Sequence, residues 1–175
     1  MGLTRRQLGM GAAAVVAGAA GAGVAWMRYR PTDVGSEAER AFWEVQFDGP
    51  NGERVAVADW RGRPLLVNFW ATWCPPCVRE LPLLNAFHRA NAPRGWQVLG
   101  LAVDQPSAVR GFLQKLPLDF PVGMAGLAGT ELSRSMGNPS GGLPYTIVFG
   151  REGVILHRKI GEVSEADLAL WAQLG

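Results

Sequence analysis

The seven residues Pro64 to Trp70 are apolar except for Asn68, and they lead within four residues into Cys74-Pro75-Pro76-Cys77. A run this short and this apolar has the length and character of a strand buried on both faces. The stretch beyond the cysteines has the period of a helix: Val78, Leu81, Leu84 and Phe87 recur every third residue and supply a core face. Two consecutive prolines suit the first turn of that helix, where backbone N–H groups have no partner, whereas Pro82 within it predicts a kink. The chain is thereby committed to a strand–turn–helix unit with a cysteine pair at its junction.

These are the only two cysteines in 175 residues. A disulfide scaffold spreads its cysteines to join distant segments, and a bridge across two residues closes too small a loop to stabilise much. A zinc site needs further ligands, and the only histidines, His88 and His157, do not stand at ligand spacing. No metal or cofactor is therefore expected. A thiol attacks as the thiolate, and a helix N-terminus stabilises that anion through its free N–H groups and dipole. Cys74 stands at that position and is expected to be the exposed attacking sulfur. Cys77, three residues on and on the same face, is its buried resolving partner.

The rest of the chain surrounds this unit with further elements. Residues 44–47 and 54–57 alternate around Asp48-Gly49-Pro50-Asn51-Gly52 and read as a hairpin. A second buried strand is expected over 96–103, a helix over 106–116, a short strand over 119–122 and a short helix over 130–136. A second hairpin comes next, 145–149 and 154–160, and Ser164 caps a closing helix to about residue 173. Strand–helix–strand–helix, then a hairpin and a last helix, makes an α/β fold: a mixed central sheet with helices on both faces. With 48% hydrophobic residues the chain suffices for one such domain, assigned to 44–175. Trp60, Trp70 and Trp96 are expected in its core, and His88 and His157 as packing or surface residues.

The first thirty residues differ in kind. They contain Arg5, Arg6, Arg28 and Arg30 and no acidic residue, and the 21 residues from Gln7 to Met27 are uncharged. As a helix that run would be about 30 Å long, the thickness of a bilayer core. Thr4-Arg5-Arg6-Gln7-Leu8 has the form of a twin-arginine export signal, and Ala20-Gly21-Ala22 offers a cleavage site. Residues 1–30 are thus read as a signal peptide or a membrane anchor helix, and 31–43 as a linker with room for a short helix at its end. Without the leader the chain carries 13 basic against 15 acidic side chains, and no basic stripe with interleaved aromatics, so nucleic acid is excluded as a partner.

Val67-Asn68-Phe69-Trp70-Ala71-Thr72-Trp73-Cys74-Pro75-Pro76-Cys77, with Glu80 and Pro82 after it and Gly142-Leu143-Pro144-Tyr145-Thr146 far downstream, resembles the TlpA/ResA-like branch of the thioredoxin superfamily. The resemblance covers about residues 44–175. It implies a thioredoxin-like fold with a central strand–helix insertion over about 105–136, and a cis proline at Pro144 facing the cysteine pair. It also implies a thiol–disulfide oxidoreductase in the periplasm or on the outer face of the cytoplasmic membrane. Such a protein draws electrons from a membrane thiol–disulfide donor and reduces protein disulfides, often in cytochrome c or oxidase maturation. Trp73, Leu143 and Pro144 would then bind substrate. Thioredoxins carry a buried Asp six residues before the first active cysteine, whereas Asn68 holds that position here and cannot take a proton. Glu80, one helical turn beyond Cys77, is the expected replacement base, against the surface position usual for a helical Glu.

Two other functions use a similar framework. Thiol peroxidases of this fold place Pro seven and Thr three residues before the reactive cysteine, where this chain has Val67 and Ala71. Copper metallochaperones of related fold use a CxxxC pair with a distal His, and only His157 could act as that donor here.

Overall fold

The computed structural model describes residues 34–174. The expected signal or anchor over 1–30, and the first residues of the expected linker, lie outside them. The described chain forms helix α1 (Val34–Phe42), strands β1 (Gln46–Asp48) and β2 (Arg54–Ala56), a 3₁₀ turn (Val57–Trp60), and strand β3 (Leu65–Trp70). Helix α2 (Pro75–Asn91), strand β4 (Gln97–Ala102), helix α3 (Pro106–Lys115), strand β5 (Val122–Met124) and helix α4 (Ala128–Ser135) come next. Strands β6 (Tyr145–Phe149) and β7 (Ile155–Ile160) and helix α5 (Glu165–Trp171) complete it, the last opened by a capping box between Ser164 and Asp167.

The strands make one mixed sheet in the order β2-β1-β5-β4-β3-β6-β7. Its centre is parallel (β5, β4, β3), and β6 and β7 extend it, with β6 antiparallel to β3 and β7 antiparallel to β6. All six residues of β3 are buried, as its unbroken apolar run demands. Alternate residues face opposite layers. Leu66, Trp70, Val98, Ala102 and Val148 pack with α2, α3 and α5; Leu65, Val67, Phe69, Leu99 and Ile147 pack with α1, the 3₁₀ turn and α4. The fold is the thioredoxin-like α/β sandwich expected, with α3, β5 and α4 as the additional segment between β4 and β6.

Two boundaries shift. The expected linker 31–43 contains α1, and its last two residues belong to the core: Phe42 and Trp43 are 0% and 2% exposed. Phe42 stacks on Phe149 at 5.3 Å, and Trp43 meets the same ring edge-on at 5.2 Å. Trp43 Nε1 donates to the Gly153 carbonyl at 2.8 Å, where Gly153 turns the β6–β7 hairpin with φ +78°. The short helix falls where the linker left room for one; its polar composition gave no sign of the core packing at its end. Phe42→Ala should cost about 3–5 kcal/mol of unfolding free energy in a denaturant titration, and a loss below about 1 kcal/mol would mean that α1 is peripheral to the fold.

The strand expected at 119–122 instead spans Val122–Met124. Pro121 has no N–H to give, so although its carbonyl accepts from Gly100 at 3.0 Å, the paired residues begin at Val122, opposite Gly100. Asp119 is engaged elsewhere, its N–H donating to Asn85 Oδ1 at 2.8 Å.

Candidate active site

At the end of β3 the chain turns through Ala71 to Cys74, where the Cys74 N–H donates to the Ala71 carbonyl at 3.2 Å, and α2 starts at Pro75. Cys74 is the N-cap, and its sulfur accepts from the Cys77 N–H at 3.3 Å. That bond would stabilise a thiolate at Cys74. The two cysteines are disulfide-bonded, with their Cα atoms 5.3 Å apart. Cys77 is fully buried as expected, but Cys74 is only 4% exposed rather than open to solvent. The tight turn draws it inward and each sulfur of the bonded pair covers the other. Trp73 takes the exposed position, at 65%.

Glu80 is not on the surface. It is 1% exposed, one turn beyond Cys77 on α2. Its Oε1 accepts from Asn68 Nδ2 at 2.7 Å and its Oε2 from the Val163 N–H at 2.6 Å. Asn68 also donates to Thr146 Oγ1 at 3.0 Å, so one amide joins β3, α2 and β6. Burial pushes the Glu80 carboxyl up to about 7, although the Val163 and Asn68 hydrogen bonds pull it down. A carboxyl with that affinity can take or give a proton near neutral pH, which is the property acid–base catalysis requires. Position 68 supplies the hydrogen bond that holds this carboxyl, rather than a proton.

The Leu143–Pro144 peptide bond is cis. Pro144 is buried at the start of β6, which pairs with β3, and its carbonyl accepts from the Gly161 N–H at 2.9 Å. The loop before it is pinned by Asn138 Nδ2 donating to the Gly142 carbonyl at 2.8 Å, and Tyr145 Oη donates to the Met136 carbonyl at 2.7 Å. Leu143 packs against the core cluster that contains both cysteines. Leu143 and Trp73 also line a common open cavity of about 520 Å³. Of the six residues singled out from the sequence, Cys74, Cys77 and Glu80 thus share one end of α2, and Trp73 and Leu143 share this cavity.

One residue of this cavity was missed. Asp104, just past β4, accepts at Oδ2 from the Thr72 N–H (2.9 Å) and hydroxyl (2.6 Å), and at Oδ1 from the Gln105 N–H (2.7 Å). It ties the turn that carries Trp73 and Cys74 to the next strand. An Asp ending an apolar strand was the available signal, but its partner lies 32 residues away. Trp70 and Trp96 are core, whereas Trp60 is only partly buried. His88 is half-buried against Phe120, and His157 lies on the exposed face of β7 near Trp171. Among the described residues no group of three His, Cys, Asp or Glu side chains stands together as a metal site would require.

Residues 36–170 match the Redoxin family. The thiol–disulfide oxidoreductase ResA of Bacillus cereus is 28% identical over 145 residues, which cover 78% of this chain and 81% of the relative. A thiol:disulfide interchange protein of the thioredoxin family from Chlorobium tepidum TLS superposes with a TM-score of 0.65 at 30% identity, over 75% of this chain and 93% of that one. A putative thiol:disulfide interchange protein DsbE from Chlorobium tepidum gives 0.65 at 26% identity, over 74% and 89%.

Proposed function

Since the chain belongs to the Redoxin family, and within it is a TlpA/ResA-like thiol–disulfide oxidoreductase, we propose that it works outside the cytoplasm as a reductant of protein disulfides. The observation that carries the mechanism is the buried Glu80 carboxyl held one turn beyond a disulfide at a helix N-terminus. In the reduced enzyme the Cys74 thiolate attacks a partner disulfide. A bond forms from Cys74 to one partner sulfur, and the other partner sulfur leaves as thiolate. Cys77 then gives its proton to Glu80 and attacks Cys74, which releases the second partner sulfur and closes the Cys74–Cys77 disulfide. Trp73, Leu143 and Pro144 form the surface against which the partner lies, with the backbone at Leu143 available to an extended segment.

Export rests on the leader, with its twin-arginine pattern and uncharged run. Whether cleaved or kept as an anchor, it delivers the domain to the periplasm or the outer face of the membrane, where a membrane thiol–disulfide donor would re-reduce it. The pathway served is maturation of c-type cytochromes or an oxidase, the role implied by the resemblance. Cys77→Ser tests the whole reading, because it permits attack by Cys74 but not release. Expressed in cells, it should accumulate mixed disulfides with exported thiol proteins of such a pathway, identified after non-reducing separation. Trapping of cytoplasmic proteins alone would overturn the location and the pathway.

A further inference from the structure

We propose that Asp104 is a specificity residue: the cavity beside the cysteine pair takes an extended polypeptide whose half-cystine is flanked by an apolar and a basic side chain, the basic one pairing with Asp104. This rests on the exchange reading of Cys74 and Cys77 and adds the class of substrate segment that reaches them.

The cavity lining is mainly apolar, with the polar Gln105 and Thr130 and one charge. Trp73 and Leu127 stand on its rim at 65% and 86% exposed, with Val103 and Leu143 further in. Two large apolar side chains held in water around one opening mark a contact face. Asp104 is the only charged residue lining that opening among the described residues. The nearby guanidinium, Arg134 beside Gly141, is occupied by Glu131 on the same helix. The Asp104 carboxyl is held ionised: partial burial opposes the charge, but the hydrogen bonds from Thr72 and Gln105 outweigh it and keep the carboxyl below the usual range. These bonds also fix where the charge sits. Two fall on Oδ2 and one on Oδ1, which leaves Oδ1 with an acceptor site for a cationic donor.

A fixed anion in an otherwise uncharged cavity sorts substrates by sign. An Arg or Lys next to the half-cystine gains a partner as the disulfide approaches Cys74; a Glu there meets repulsion. The chemistry is unchanged. Cys74 forms a bond to the peptide sulfur and the capping thiolate leaves, so no other reagent is needed.

The test uses three five-residue peptides, identical except for Arg, Gln or Glu beside a Leu-Cys pair. Each carries its cysteine as a mixed disulfide with 2-mercaptoethanol. Second-order rate constants are measured against the reduced full-length protein. The Arg peptide should react about fivefold faster than the Gln peptide and the Glu peptide about fivefold slower, the factor a contact ion pair is worth even in water. Both ratios should shrink at high salt. Asp104→Asn should bring all three rates together, a result that a merely structural role would not produce. Leu127→Lys, a change at an exposed position that offsets the Asp104 charge, should also bring the rates together and serves if Asp104→Asn fails to fold. Equal rates in the wild-type protein, or ratios that survive Asp104→Asn or Leu127→Lys, would overturn this inference and leave the exchange reading intact. No reaction with any peptide would overturn both.

Discussion

Glu80→Gln is expected to slow release of a mixed disulfide from Cys74 by about a hundredfold near pH 7, the lower end of what a positioned acid–base group supplies. The same substitution should raise stability at pH 8 by about 3 kcal/mol, the linkage value of a shift this large. The second effect comes from the direction of the Glu80 shift. Its carboxyl titrates near 4.5 when unfolded and about 7 in the fold, because burial disfavours the anion. Below pH 4.5 the group is protonated in both states and costs nothing. As pH rises from 4.5 to 7 the unfolded chain loses a proton that the folded one retains, so stability declines, and above 7 the cost is constant. Gln keeps the size and lacks the charge. With the Asn68 amide turned over, Gln Nε2 can donate to Asn68 Oδ1, while the Val163 N–H keeps an acceptor. Denaturant titrations at pH 4, 6 and 8 should therefore show a falling series for the wild type that is flatter in the variant. Unchanged release kinetics together with an unchanged pH series would return Glu80 to a purely structural role.

Cys74→Ser should eliminate exchange outright, because a serine hydroxyl provides neither a thiolate at neutral pH nor a sulfur for the mixed disulfide. Alkylation of the reduced wild-type protein should divide the pair in the same sense. Cys74, at the helix N-cap and with the remaining exposure, reacts first with iodoacetamide; Cys77, at 0% exposure, reacts only on unfolding. Peptide mapping after partial labelling measures this directly. Label appearing first on Cys77 would reverse the assignment of attacking and resolving sulfurs.

The parts of this site that are contiguous in sequence were legible there. Pro64 to Trp70 as a buried strand, the helix beginning beyond Cys74 and the one-turn spacing of Cys77 and Glu80 all come from local pattern, since strand and helix periods are set over a few residues. Partners that meet through the fold were not legible. Val163 contributes only a backbone N–H, which no sequence pattern distinguishes, and it reaches Glu80 across 83 residues. Asp104 reads as an ordinary strand-terminating acid until β3 and β4 are paired in register and Thr72 comes within its reach. The burial of Phe42 and Trp43 was not legible for a different reason: the charged composition of residues 34–42 suggests solvent, and the two aromatics come at the end of that helix and just beyond it.

The bond from Trp43 to Gly153 closes a span of 110 residues, and the stacking of Phe42 on Phe149 closes nearly as long a one. Phe149 and Gly153, which hold Phe42 and Trp43 at the end of the first described helix, therefore belong to the last hairpin of the chain. During synthesis Phe42 and Trp43 can meet the nearby Val55, Val57 and Leu65 early, but their ring partner Phe149 and the Gly153 carbonyl only after most of the domain has been made. The β6–β7 hairpin thus completes the packing of the first described helix. A chain interrupted anywhere before residue 149 leaves these two aromatic rings without the ring and the carbonyl that complete their packing. Quality control in the cell would have a simple signal there: incomplete copies are marked at the front by what is missing at the back.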